Sequence, residues 1–375
     1  MLKIVKEYTT QTNILIDPST QKWRLSQVGG QLPHLPCRLR EYVADDVTRC
    51  LGSRSRNQTH ILYVGDSRIR QHVEVMIDLL RDLQLRITTY KGEVLSAEEF
   101  LGEKGMKFWS KYKHHFRVES LKVPGLLVEF KWAAFLDWGD APKKVNDNFS
   151  FWMKRLWTEL DLTVWPDWGK ETKPAEHQKT RVGAFEIISR LNASPKENLP
   201  DIVLLNTGAW FLTEYYQMEP LEAIDLSSIV VMDTLRQLLS ELADRTTVVW
   251  LAPDPFKEHI SHIFDHTGKY SYETNAFLEW QLNAQALLKP SGVLFWDTFL
   301  PISYASREDC MYFSSENVDF ASLPKYAGFR PLLSWNCQER AHVGFEAIGV
   351  AVQMVLNHLC NPHLGEGYCC SEMHT

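Results

Sequence analysis

The 375-residue chain predicts an α/β domain of three layers, α/β/α, around a central parallel sheet. Short β-branched apolar runs alternate with stretches of helical periodicity, the pattern of crossover units that feed a parallel sheet. Runs such as DIVLL and VVWLA are apolar at every position, which suits strands covered on both faces. A turn of small residues, Gly65-Asp66-Ser67, follows directly on the first of these runs.

The predicted strands are ILYVG at 61–65, GLLVEFKW at 125–132, DIVLLN at 201–206, TTVVWLA at 246–252 and GVLFWD at 292–297. Helices are expected at 68–83, 175–195, 227–244 and 272–289, with a last one at about 343–359. The third repeats apolar residues at three-and-four spacing: Val231, Leu235, Leu238, Leu239 and Leu242. Two segments break the rhythm. An insertion at about 133–175 holds Trp138, Trp152, Trp157, Trp165 and Trp168, and 303–336 is rich in Ser, Pro and Tyr. Loops of that length are functional or locally folded; the tryptophans either form a satellite core or stack on sugar rings.

With 45% hydrophobic and 23% charged residues the chain can bury a large core. A formal charge of −7 argues against the clustered Lys and Arg of a nucleic-acid footprint, so no nucleic-acid partner is expected. The longest apolar run, IGVAVQMVLNHL, is interrupted by Gln353 and falls short of the roughly 18–20 residues that span a bilayer, so no membrane span is expected. The N-terminus lacks the apolar stretch and cleavage site of a secretory signal, which by itself reads as cytoplasmic.

Cysteine usage points the other way. The seven cysteines gather at the two ends, Cys37 and Cys50 before the Gly-Asp-Ser turn and Cys310, Cys337, Cys360, Cys369 and Cys370 after it. Ends stapled onto a core suggest disulfides, with buried reduced thiols as the alternative and connectivity left open. The spacing does not suit zinc, and no metal is expected. Sequons at Asn57, Asn148 and Asn192 are compatible with secretion. The resulting division is an N-terminal disulfide-bearing extension, 1–58, a catalytic domain, 59–360, and a Cys-containing tail, 361–375.

Ser67 stands after a buried strand and before a helix, at the carboxyl end of the sheet where α/β folds bind ligands. There the helix start offers backbone N–H groups and a positive dipole end to an oxyanion. Asp66 is expected to order the turn through its side chain; the bland alternative for Gly-Asp-Ser is a simple loop and helix cap. A serine nucleophile needs a base, and that base needs an acceptor on its other ring nitrogen. His342 enters the last helix three residues after Glu339, so one local turn can aim both at one cleft. His60 and His72 are worse placed. Asn206 closes the third predicted strand; its amide and the freedom of Gly208 read either as an oxyanion site or as ordinary turn residues.

GDSRIRQ (65–71), CRLREYVADDVTRC (37–50), APDPFKE (252–258), the pair Glu339 and His342 before a helix ending in Cys360, and the doublet Cys369-Cys370 together resemble one family. This is the SGNH-like domain, of the PC-esterase type with Gly-Asp-Ser and Asp-x-x-His blocks, of the Golgi sialate O-acetyltransferase family. The resemblance spans most of the chain. It implies an SGNH-hydrolase-like fold, Ser67 as nucleophile, His342 as base and Glu339 as orienting acid, with Glu standing where the family has Asp; Asp297, at the end of GVLFWD, is the reserve acid on its position alone. It also implies disulfides, a Golgi lumenal location, no tightly bound cofactor, acetyl-CoA as donor and a carbohydrate or nucleotide sugar as acceptor. The competing expectations are an O-acetyl esterase on the same site and a non-catalytic glycan-binding module on a degenerate fold.

Overall fold

A computed structural model describes residues 37–52, 58–102, 115–133, 183–207, 233–252, 282–297, 300–301, 303, 345–363 and 367–370. Its centre follows from the apolar runs. In β1 (Thr59–Gly65) the side chains alternate, Ile61 and Tyr63 to one face and Leu62 and Val64 to the other, and all four are buried. The remaining strands are β2 (Leu85–Thr89), β3 (Val94–Ser96), β4 (His115–Ser120), β5 (Leu126–Trp132), β6 (Ile202–Asn206), β7 (Thr247–Leu251) and β8 (Leu294–Trp296). They form one eight-stranded sheet in the order β3-β2-β4-β5-β1-β6-β7-β8.

All five predicted strands are present, and they make the parallel half: β5, β1, β6, β7 and β8. Numbered along the chain, these five lie side by side as 2-1-3-4-5, a doubly wound order whose switch point falls between the first and third, β1 and β6. The strands β2, β3 and β4 are antiparallel and extend the β5 edge, which makes the sheet mixed. They escape the sequence pattern because they are short and bury alternate positions only. Arg86, Arg117 and Glu119 occupy the other face, where Arg86 and Glu119 pair across the strands at 2.6 Å.

Helices cover both faces. On one side lie α1 (Ala44–Gly52), α2 (Ser67–Leu79), α3 (Ala97–Leu101) and the long α7 (Phe345–Cys360), joined with Ile61, Tyr63, Leu204 and Val249 in one core. On the other lie α4 (Ala184–Asn192) and the helical residues 233–243 (α5) and 282–288 (α6). Ile187, Leu235, Leu239 and Leu288 from these pack on Leu62, Val64, Val203 and Trp250. The protein is thus a three-layer α/β/α fold. Helices α2, α4, α5, α6 and α7 fall within or close to the expected spans, whereas α1 and α3 lie outside all of them. The short α3 is held by a capping box between Ser96 and Glu99.

Two disulfides tie the ends together, Cys37 to Cys369 and Cys50 to Cys360, so the two cysteines of the 37–50 segment pair with the C-terminal region and not with each other. Such bonds form and persist in oxidising surroundings. Among the described residues no helix is long and apolar enough to cross a membrane. The tryptophan-rich insertion lies outside the described residues apart from Ala133, as does 304–336.

Candidate functional site

Register brings three strand ends level. Gly65 lies opposite Trp132 of β5 on one side and Asn206 of β6 on the other. Glycine is required there by space: a Cβ would overlap the carbonyl oxygen of Asn206 and stand 2.5 Å from Ile69 Cγ1, inside the first turn of α2. The close approach of helix to strand in turn sets where the next two residues go. Asp66 becomes the N-cap, its Oδ1 accepting from the Arg68 N–H at 2.8 Å, which is the ordering role expected of it. Its carbonyl accepts from the Arg70 N–H at 3.0 Å.

Ser67 is therefore the first residue of α2, at the carboxyl end of β1, next to the switch point of the sheet. It is buried to 8% exposure. The positive end of the helix dipole lies at this turn, where the Arg68 and Arg70 N–H groups are taken by Asp66.

The polar residues of α2 divide by face. Arg70, Gln71 and Glu74 follow Ser67 at the three, four and seven spacing and share its stripe. All are buried; Arg70 Nε lies 3.4 Å from Glu74 Oε1, and the guanidinium stands 5.7 Å from the centroid of the Trp132 ring. Each charge thus has a counter-charge where solvent is excluded. His72, five residues on, is turned about 140° round the helix from Ser67. It lies beside Tyr63, ring centroids 6.5 Å apart, and burial pushes its imidazole down to about 4, so it is neutral at physiological pH. His60 sits at the opposite end of β1 from Ser67, its Nε2 3.1 Å from Glu129 Oε2. Neither is placed to take a proton from Ser67.

Asn206 is buried at the end of β6 with its side chain on the α2 face. One amide hydrogen is committed: Nδ2 donates to the Leu251 carbonyl and ties the end of β6 to β7. Oδ1 is buried without a partner among the described residues. The expected oxyanion contact therefore falls to the second amide hydrogen alone. Asp297 follows β8, three strands from β1, about 14 Å away at the usual strand spacing. His342, Glu339 and Gly208 lie outside the described residues. What the sequence reading did not pick out is the Arg70–Glu74 pair and its stacking on Trp132. The signal was there, charged residues one turn apart on a helix that begins in a cleft, but burial of that stripe is decided by its covering elements.

No family model matches the chain, and no curated protein matches it. Among solved structures, Axe2, an acetylxylan esterase from Geobacillus stearothermophilus, aligns with 12% identity and a TM-score of 0.34, over 84% of this chain and 99% of that one. A catalytic mutant of the same enzyme aligns at the same identity and TM-score, over 82% of this chain and 96% of that one. A likeness of that depth leaves the fold to be read from strand order and register.

Proposed function

We propose that this chain is a carbohydrate O-acetyltransferase that works through an acyl-enzyme on Ser67. The observation that supports this reading is the placement of Ser67 on the first turn of α2, at the carboxyl end of the parallel strand beside the switch point. His342 serves as general base and Glu339 orients it, as the resemblance of these blocks to the SGNH-like sialate O-acetyltransferases implies.

Ser67 Oγ attacks the thioester carbonyl of an acetyl donor, acetyl-CoA, while His342 takes the hydroxyl proton. The tetrahedral oxyanion is held by amides at the start of α2 and by the second amide hydrogen of Asn206, with Gly208 allowing close approach. The C–S bond breaks, the thiolate leaves with the proton from His342, and the acetyl group remains on Ser67. A hydroxyl of a sialic-acid-like sugar, or of its nucleotide form, then gives its proton to His342 and attacks the acetyl carbonyl; the bond to Ser67 Oγ breaks and His342 returns the proton to Oγ, which restores the serine. Water in place of the sugar gives an O-acetyl esterase from the same intermediate. The two disulfides suit the lumen of the secretory pathway, and the resemblance places the activity in the Golgi.

The test is covalent. A fluorophosphonate probe is expected to label the wild-type chain on Ser67 and to leave Ser67→Ala unlabelled, and acetyl-CoA with a sialic acid acceptor is expected to give an O-acetylated sugar by mass spectrometry. Free acetate without sugar product assigns the esterase. Wild type and Ser67→Ala equally inert to the probe, with no acetyl turnover, overturn the enzyme; sugar binding that survives Ser67→Ala and is lost in Trp152→Ala or Trp165→Ala would then define a glycan-binding module.

A further inference from the structure

Helix α7 and the 3-10 turn that continues it (Asn361–His363) carry three carboxamides at four-residue spacing, Gln353, Asn357 and Asn361, so they form one stripe. All three are buried, with Asn357 and Asn361 at 0% exposure. Buried amides must be hydrogen-bonded, and here their partners are mostly backbone. Gln353 accepts from the Tyr42 N–H at 2.7 Å and donates to the Tyr42 carbonyl at 2.8 Å. Asn357 does the same for Arg40, accepting at 2.8 Å and donating at 2.7 Å. Residues 40 and 42 are two apart, so each amide reads one extended-chain repeat as a neighbouring strand would. Asn361 continues the stripe: Nδ2 donates to the Cys369 carbonyl at 2.8 Å, and Oδ1 accepts from the Tyr42 hydroxyl. One helix face thereby holds both the N-terminal strap and the C-terminal tail.

The tail presents two adjacent cysteines to Cys37. Cys369 is bonded to it and 8% exposed, whereas Cys370 is free and exposed. The chain separation is 332 residues, and loop-closure entropy varies only logarithmically, so one residue more or less makes no difference to it. Selection between the two sulfurs must come from local register. That register is visible: Arg38 N–H donates to the Gly367 carbonyl at 3.0 Å and Cys369 N–H to the Arg38 carbonyl at 2.9 Å, so strap and tail meet as a parallel bridge. The amide stripe anchors both partners of that bridge to the same helix.

We propose that the Gln353–Asn357–Asn361 stripe is a register device that selects Cys369 over Cys370 as the partner of Cys37. Because it grips backbone groups at residues 40 and 42, sliding the strap by one residue would leave buried amides and buried peptide groups unpaired.

The experiment is oxidative refolding of the reduced, denatured full chain in a glutathione buffer, with disulfide mapping by mass spectrometry of the monomer isolated by size exclusion. Wild type is expected to return Cys37–Cys369 with little Cys37–Cys370. In Asn357→Ala the Cys37–Cys370 share should rise about fivefold or more, the equilibrium worth of one net hydrogen bond. Gln353→Met keeps the stem and its packing while losing both strap contacts, and should show the same shift if Asn357→Ala yields no monomer. Leu239→Ala, buried in the core on the other face of the sheet, controls for lost stability and should keep wild-type pairing. Unchanged pairing in both amide variants, or equal scrambling in Leu239→Ala, overturns the proposal.

Discussion

The turn around Ser67 and the clamp of strap, α7 and tail sit on the same face of the sheet and are built in opposite ways. The turn is local: Gly65, Asp66, Ser67 and Arg68 are consecutive, and the cross-strand neighbours Trp132 and Asn206 flank Gly65. The clamp joins residues more than 300 positions apart through backbone-directed amides and two disulfides. A local device depends on steric fit over a few ångströms, whereas a long-range one depends on chain closure. The two should therefore fail differently.

The largest effect is expected in the clamp. The first bridge between the ends closes a loop of more than 300 residues, and the chain-entropy estimate for a loop that long is about 6 kcal/mol. The second bridge is nested just inside the first and closes only a small ring, worth about 3 kcal/mol. Removing one pair, Cys50→Ala with Cys360→Ala, should therefore lower the urea-unfolding free energy less than removing both pairs. Equal losses would show that the ends are held by the amides and the core, and that the closure picture is wrong.

The turn should break on a single methyl group. Gly65→Ala forces a Cβ against the Asn206 carbonyl and Ile69, backbone and packed side chain that cannot swing away, and a cost of about 3 kcal/mol is expected. The loss should appear as a lower thermal midpoint together with slower labelling of Ser67. A variant with wild-type stability would mean that α2 can shift off β1 freely.

His72 sharpens the contrast because it lies on α2 but belongs to neither device. Its folded pKa of about 4 lies below the ordinary value of 6.5, so the unfolded chain takes up this proton first as the pH falls. The contribution is complete above pH 6.5 and is lost as the pH drops from there toward 4. Between pH 6.5 and 5 the loss should be about 2 kcal/mol. His72→Gln should flatten that part of the stability profile, and an unchanged slope would show that the imidazole is solvated.

How much of this was legible follows the same division. The five parallel strands announce themselves because strands buried on both faces must be apolar at successive positions, as in IVLLN and TVVWL. The antiparallel ribbon does not, because LRITT and HFRVES place charges on an outward face and look like ordinary polar sequence. At the site, Ser67 and the ordering role of Asp66 were readable from strand, small turn and helix. The commitment of the Asn206 amide to Leu251 was not, since it depends on which strand lies beside β6.

Composition and periodicity alone determined that a β-strand ends at Gly65, that a helix follows the Gly65-Asp66-Ser67 turn, and that apolar runs downstream must lie inside a covered sheet. These are properties of neighbouring residues, set by backbone sterics and by which side chains avoid water. Only the tertiary structure decided the 2-1-3-4-5 strand order, the meeting of Gly65 with Asn206, the burial of the Gln353, Asn357 and Asn361 amides, and the partners of Cys37 and Cys50. Those are choices among distant segments with similar local preferences, and they are settled by packing and hydrogen-bond satisfaction over the whole chain at once.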